Sequence, residues 1–113
     1  MIELCGIEQV DDFIISNIDN NKVICLYFGA IWCGPCKQLK NRLENQETTD
    51  IMPKLVVGYL DIDDESNSEL VEKYKVNSLP TQILIKVVDL NVIPISKIEG
   101  YDFTKLKLEY DKY

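Results

Sequence analysis

Residues 32–37 read Trp-Cys-Gly-Pro-Cys-Lys, and they follow the apolar stretch at residues 23–30, VICLYFGA. That stretch is almost continuously apolar and rich in strand-forming residues, which predicts a central strand covered on both faces. Residues 35–46 are good helix formers, with Leu39 and Leu43 one turn apart. The sequence therefore predicts that the two cysteines stand where a buried strand ends and a helix begins.

This position favours a reactive thiolate. The unpaired N–H groups and the partial positive charge of a helix N-terminus stabilise an anion by about 0.3–2 kcal/mol, with N–H contacts to the sulfur adding to this. Cys33 is therefore the predicted nucleophile. Two intervening residues place the second sulfur about one helical turn away, within reach of a disulfide, and Gly34 and Pro35 suit the turn into the helix. Cys36 is the predicted resolving thiol.

Strand patterns recur along the rest of the chain. Residues 2–5 and 55–62 are apolar segments of strand length. Residues 81–88 and 92–98 are separated by the turn-like residues 89–91, which predicts an antiparallel hairpin. Together with residues 23–30 they predict a mixed sheet of about four or five strands.

Helices are predicted between these strands. Residues 66–69, Ser-Asn-Ser-Glu, form a capping-box pattern that opens a helix running to about Tyr74. Asp102 is the predicted N-cap of a last helix. The apolar residues at helical spacing are Val10, Phe13, Ile14 and Ile18 before a polar turn at residues 19–22, and Phe103, Leu106 and Tyr110 near the end. The element order predicts an α/β sandwich with helices on both faces of the sheet.

Composition excludes several classes of function. The 113 residues are the length of one domain, and a net charge of −7 with Arg42 as the single arginine argues against a nucleic-acid partner. No apolar run approaches the roughly 18 residues of a membrane span, and no basic segment precedes an apolar one near the N-terminus. We therefore expect a cytoplasmic protein and a monomer. Since the chain has no histidine, Ser-His and Cys-His pairs and imidazole metal sites are excluded.

The motif at residues 32–37 resembles the redox motif of the thioredoxin family letter for letter. Residues 76–81, Val-Asn-Ser-Leu-Pro-Thr, resemble the family segment that carries a cis-proline facing the dithiol. The resemblance implies that Pro80 follows a cis peptide bond, that the backbone of Leu79 pairs with an extended substrate, and that Gly100 lies beside the site. It covers nearly the whole chain in element order, and implies a three-layer sandwich over residues 1–113 as one domain.

The resemblance also implies a function. A protein of this family reduces protein disulfides by dithiol–disulfide exchange, without a metal or an organic cofactor, and is recycled by an external electron donor such as a thioredoxin reductase. The substrate groove is expected to consist of Trp32, Gly34, Pro35, Leu79, Pro80 and Gly100. Trp32 is predicted to cover the dithiol and to form part of the docking surface.

Three positions depart from the family pattern. The family has a buried aspartate five residues before the motif tryptophan and a lysine on the next strand, and this chain has Tyr27 and Tyr59 at those positions. A phenol titrates near 10 and is a poor base at neutral pH, so Cys36 needs another source of activation, such as Lys37 or the departing substrate thiolate. Slower resolution of the mixed disulfide is expected. The two tyrosines are predicted to be a packed pair beneath the site. Asn41 replaces the proline that kinks the helix in the family.

Other interpretations of the same residues stay open. One C-x-x-C pair without histidine makes a zinc site improbable, and the acidic residues 61–65 lack the spacing of a calcium loop and are predicted to be a solvated turn. Cys25 is predicted to be a small buried residue, whereas Cys5, if exposed, is open to oxidation or to intermolecular pairing. The alternative functions are an oxidase or isomerase of the same fold, or a binding subunit that works without redox turnover. Gly34-Pro35 favours the reductase.

Overall fold

The computed structural model describes residues 1–19 and 21–113, which build a mixed five-stranded sheet between two layers of helices. Asn20, in the turn predicted at residues 19–22, lies outside the described residues. The predicted α/β sandwich is confirmed. The elements in chain order are β1 (Ile2–Glu3), α1 (Ile7–Ser16), β2 (Val23–Gly29), α2 (Gly34–Leu43), α3 (Gln46–Ile51), β3 (Leu55–Asp61), a 3₁₀ turn (Glu65–Asn67), α4 (Ser68–Lys73), β4 (Thr81–Val88), β5 (Asn91–Glu99) and α5 (Phe103–Asp111).

β2 lies at the centre of the sheet. The strand order is β1-β3-β2-β4-β5, in which β2 runs parallel to β3 and antiparallel to β4. β1 pairs parallel with β3, and β5 pairs antiparallel with β4. All seven residues of β2 are buried, as its continuous apolar sequence predicts. The C-terminal end of this strand leads directly into the cysteine motif.

The pleat of β2 divides the core in two. Alternate residues from Val23 to Tyr27 face α2 and α5, whereas those from Ile24 to Phe28 face α1 and α4. Four of the helices, α1, α2, α4 and α5, therefore each bury an apolar side against the sheet. The helix residues in these cores are Leu39, Leu43, Leu106 and Tyr110 on the first face, and Val10, Ile14 and Leu70 on the second.

The helix after the motif is shorter than predicted. α2 ends at Leu43, not near residue 46, and a separate helix, α3, follows it. The break occurs at Asn45, whose side chain accepts a hydrogen bond from the Glu47 N–H and caps α3. Asparagine favours such a cap over a helix interior, because its amide competes with the backbone hydrogen bonds.

The capping box predicted at residues 66–69 is wrong. Asp64 caps this segment instead, accepting a hydrogen bond from the Ser66 N–H, and the chain forms a 3₁₀ turn before α4. Asn67 is fully buried; its side chain accepts a hydrogen bond from the Gly6 N–H and donates to the Asp61 carbonyl. These tertiary bonds join the N-terminal segment to the end of β3 and override the local pattern.

Smaller differences occur at the element ends. β1 is limited to Ile2–Glu3, and Ile18 lies beyond the end of α1 with 40% of its surface exposed. The hairpin turn is tighter than predicted: Val88 pairs with Asn91, so only two residues form the turn, both with positive φ. The cap predicted for the last helix is confirmed, since the Asp102 side chain accepts a hydrogen bond from the backbone of Lys105.

The helices of the described residues are all short. The longest, α1 and α2, have ten residues each, and within residues 1–19 and 21–113 no helix is long and apolar enough to cross a membrane.

Candidate active site

Cys33 and Cys36 lie in the first turn of α2 and are joined by a disulfide, with their Cα atoms 5.2 Å apart. Cys33 is the N-cap of the helix, and its sulfur accepts a hydrogen bond from the Cys36 N–H at 3.2 Å. Pro35 lies in this first turn, where its missing N–H and fixed φ cause no loss of helix bonding. The junction of buried strand and helix predicted from the sequence is therefore present, with the helix N-terminus directed at the sulfur of Cys33.

The two cysteines have different surroundings. Cys33 lines a cleft of about 530 Å³, whereas Cys36 lines a smaller cavity of about 150 Å³. The residues around the cleft are Trp32, Cys33, Gly34, Pro35, Ile62, Val71, Val76, Asn77, Ser78 and Leu79. Those around the cavity are Tyr27, Ala30, Ile31, Cys36, Lys37, Lys40 and Tyr59. Four residues predicted for the groove, Trp32, Gly34, Pro35 and Leu79, thus meet beside Cys33, and Lys37 lies on the Cys36 side.

Trp32 covers one side of the cleft and is held by an acidic residue. Its indole is 65% exposed, and the ring N–H donates to Asp63 Oδ2 at 2.7 Å. The neighbouring Ile31 is 73% exposed, so the surface next to the disulfide is apolar. The sequence predicts Asp63 in a solvated turn and does not predict this contact. No sequence signal joins residues 31 positions apart; only the pairing of β2 with β3 brings them together.

The Leu79–Pro80 peptide bond is cis, the isomer that the resemblance implied. Pro80 is buried, and its carbonyl accepts a hydrogen bond from the Gly100 N–H at 2.7 Å. Gly100 has a φ of +85°, a conformation that residues with a side chain rarely adopt. The Gln82 side chain donates to the Gly100 carbonyl at 3.3 Å. Pro80 and Gly100 therefore lie together next to Leu79, the residue of this segment that lines the cleft.

The cleft walls include apolar residues that the sequence analysis did not single out. Ile62, Val71 and Val76 line the cleft opposite the cysteine motif. Val71 belongs to α4, and Val76 is the first residue of the segment at residues 76–81 that contains the cis-proline. The sequence predicts Ile62 at the end of a strand and Val71 within a helix, but nothing in a single sequence shows that an apolar face lies open beside a sulfur atom.

Tyr27 and Tyr59 form the predicted packed pair. Their ring centroids lie 5.3 Å apart with the planes inclined by 38°, and the Lys40 ammonium lies 5.7 Å from the Tyr59 centroid. Burial, with a smaller contribution from Tyr59, raises the pKa of Tyr27 well above its ordinary value. The Tyr27 phenol therefore stays protonated at neutral pH and is a hydrogen-bond donor rather than a base. Its hydroxyl donates to the backbone carbonyl of Cys36.

The acidic segment after β3 uses its carboxylates to shape a turn. Asp61 Oδ1 accepts a hydrogen bond from the Asp63 N–H, and Asp64 Oδ1 accepts from the backbone and hydroxyl of Ser66. Within the part of the chain that the structure describes, no group of three or more histidine, cysteine or acidic residues is arranged to hold a metal ion.

Comparison with known proteins identifies the family. Residues 7–107 match the family model described as Thioredoxin. This chain belongs to the thioredoxin family. A thioredoxin from Chlamydia pneumoniae is 37% identical over 86 residues, 76% of each chain, and one from Mycobacterium tuberculosis is 38% identical over 88 residues, 78% of this chain and 70% of the other. With its Cys33–Cys36 pair, the chain is a dithiol–disulfide exchange redox protein of a family of disulfide reductases.

Solved thioredoxins share the whole architecture. The structure of Fasciola hepatica thioredoxin superimposes with a TM-score of 0.78 at 26% identity, covering 99% of this chain and 98% of the other. The germline-specific thioredoxin Deadhead of the fruit fly gives a TM-score of 0.77 at 28% identity, with 99% and 98% covered. The thioredoxin-like sandwich that the motif implied is thus confirmed.

The two cysteines outside the motif differ in exposure. Cys25 is fully buried in β2, as predicted, and burial raises the pKa of its thiol to about 12. Cys5 is exposed, and its pKa is raised chiefly because its thiol donates to the Asp64 carboxylate. A raised pKa leaves less thiolate at pH 8 than an ordinary cysteine has, so both thiols are expected to react slowly.

We expect iodoacetamide at pH 8 to label the oxidised thioredoxin-family chain once, at Cys5, and a second time, at Cys25, only after unfolding in guanidinium chloride. Mass spectrometry of the intact protein counts the labels. Asp64→Asn removes the carboxylate that holds the Cys5 proton, and should speed the first labelling while the second stays dependent on unfolding. Labelling of Cys25 in the folded protein would contradict its burial in the strand.

Proposed function

We propose that this thioredoxin-family protein reduces disulfide bonds of protein substrates, with Cys33 as the nucleophile and Cys36 as the resolving thiol. The observation that supports these roles is the different surroundings of the two sulfur atoms: Cys33 lines the cleft of about 530 Å³ and caps α2, whereas Cys36 lines the smaller cavity of about 150 Å³. A substrate disulfide approaching through the cleft therefore meets Cys33 first.

The reaction has two exchange steps. The Cys33 thiolate attacks one sulfur of the substrate disulfide; a Cys33–substrate disulfide forms, and the other substrate sulfur leaves as a thiolate. Cys36, having lost its proton, then attacks Cys33, and the second substrate sulfur leaves. The protein is left with the Cys33–Cys36 disulfide, and the substrate has gained two electrons. No metal or organic cofactor takes part in either step.

The substrate segment is proposed to bind in an extended form along the cleft. Leu79 is half-buried at its edge, where its backbone can pair with such a segment as an added strand. The bond from Gly100 to Pro80 fixes the backbone next to it. Trp32 and the apolar wall contribute contact area without selecting a particular sequence. Trp32, Gly34, Pro35, Leu79, Pro80 and Gly100 remain the proposed groove and its support, with Ile62, Val71 and Val76 as its opposite wall.

The oxidised protein needs an external electron donor, and we propose a thioredoxin reductase. A Mycobacterium leprae protein named bifunctional thioredoxin reductase/thioredoxin is 36% identical over 81 residues, which is 71% of this chain and 17% of that protein. This relative shows a domain of the same family joined to a reductase in one chain. Residues 1–113 are proposed to act as one domain, as a monomer in the cytoplasm; the free thiols of Cys5 and Cys25 suit a reducing compartment.

The reduction potential of the Cys33–Cys36 pair tests the proposal. We expect a value near the roughly −270 mV known for thioredoxin, measured from Trp32 fluorescence in dithiothreitol or glutathione buffers. Trp32 is the single tryptophan, so the signal comes from the site itself. A value above about −200 mV would favour the alternative function, an oxidase or isomerase, because the dithiol form would then be more stable by several kcal/mol.

A further inference from the structure

A hydrogen bond beneath the site joins the central strand to the first turn of α2. The Tyr27 hydroxyl donates to the backbone carbonyl of Cys36, and this contact is buried. Tyr27 is part of β2, which pairs along its whole length with β3 and with β4 on its other side. A strand that is paired on both sides thus holds the backbone of the second cysteine.

The absence of a side chain at Gly29 leaves space for the Tyr27 ring next to Cys36. A Cβ atom there would lie 3.0 Å from Tyr27 Cε1, 3.0 Å from Tyr59 Cε2 and 3.4 Å from the Cys36 sulfur. The two rings and the sulfur therefore all lie close to the side of Gly29 from which a Cβ atom would project. Because the packing is this close, a shift of the Tyr27 ring changes the space available to the sulfur of Cys36.

The first turn of α2 also borders open space. The cavity of about 150 Å³ is lined by Cys36 together with Tyr27, Tyr59 and Lys40. Open space next to a helix turn allows the turn to relax unless a polar contact restrains it. The phenol of Tyr27 supplies that contact as a permanent donor, because burial keeps it protonated at neutral pH.

We propose that Tyr27 is a positioning residue for Cys36: its hydroxyl holds the Cys36 carbonyl, and thereby keeps the Cys36 sulfur aligned for attack on Cys33. This inference rests on the proposed function, in which Cys36 resolves the mixed disulfide. Tyr27 touches neither the substrate nor the reacting sulfur of Cys33, and it acts on the second exchange step alone. The first step depends on Cys33 and on the residues that line the cleft, and Tyr27 is not one of those residues.

The two steps can be measured separately with 5,5′-dithiobis(2-nitrobenzoate) as the substrate. The Cys33 thiolate attacks this disulfide, and one coloured nitrothiobenzoate leaves. Cys36 gives its proton to water and attacks Cys33; the Cys33–nitrothiobenzoate bond breaks, and a second nitrothiobenzoate leaves. The reduced protein, freed of reductant, is mixed with one equivalent of the reagent in a stopped-flow spectrometer. All variants carry Cys5→Ser, so that the exposed thiol adds no colour.

We expect Tyr27→Phe, which keeps the ring and removes the hydroxyl, to slow the second release about 3- to 10-fold and to leave the first unchanged. Tyr59→Phe is the matched control and should change neither. Equal slowing or loss of both releases in Tyr27→Phe would show a merely structural role, and an unchanged second release would show no role; either overturns the inference. The Cys36→Ser variant must release only one nitrothiobenzoate, because it has no second thiol. If the parent protein also releases only one, the proposed function is wrong, and the inference about Tyr27 is not the cause.

Discussion

Replacing Cys33 by serine is expected to abolish disulfide reduction, lowering the turnover rate by about 10³-fold or more, as the loss of a nucleophile does in other enzymes. Cys33 is the sulfur that lines the open cleft, and a hydroxyl in its place is not ionised at neutral pH. The rate is measured as reduction of insulin disulfides with dithiothreitol as the electron donor.

Cys36→Ser is expected to block the second exchange step rather than the first. The Cys33 thiolate can still attack, but no second thiol is left to release the substrate, so a covalent Cys33–substrate disulfide accumulates and is visible by mass spectrometry. Cys25→Ser is the matched control, since Cys25 is buried in β2 away from the cleft, and it should keep normal turnover. If the double variant Cys33→Ser, Cys36→Ser kept the activity of the protein, the redox assignment would be wrong and the binding-subunit alternative would stand.

The architecture and the position of the dithiol followed from the sequence because each has a local signal. A continuous apolar run is the pattern of a strand covered on both faces, and β2 is such a strand. Pro35 near the start of a helix-forming segment marks the helix start that holds both cysteines. The predicted bounds of β2 and the predicted start of α2 each differ from the observed ones by one residue, whereas the end of α2 lies three residues earlier than predicted.

Three of the missed features depend on contacts between residues that are not neighbours in the sequence. The capping box predicted at residues 66–69 does not form, and the side chain of Asn67 within it bonds to Gly6 and Asp61. Asp63 holds the Trp32 indole across two neighbouring strands, and Tyr27 holds the carbonyl of Cys36. Local pattern cannot show such pairs, because the strand register that brings them together is set by the whole sheet.

Tyr27→Asp is expected to be the most destabilising single change at this site. Tyr27 is fully buried between Tyr59 and the first turn of α2, so losing the ring costs about 3–5 kcal/mol, as for other large aromatic residues. A carboxylate in the same place adds a charge that burial disfavours. The free energy of unfolding is measured by urea titration at pH 7 and at pH 4.

Comparison with Tyr27→Asn separates the cost of losing the ring from the cost of burying a charge, since asparagine leaves a similar cavity without a charge. Burial raises the carboxyl pKa of the new aspartate above the roughly 3.9 of the unfolded chain, so its charge penalty is absent below that pH and grows by about 1.4 kcal/mol per unit as the pH rises towards the native pKa. The two variants should therefore be almost equally stable at pH 4, with Tyr27→Asp less stable by about 2–4 kcal/mol at pH 7. Equal stability at both pH values would mean that water reaches the aspartate, and would contradict the burial of this position.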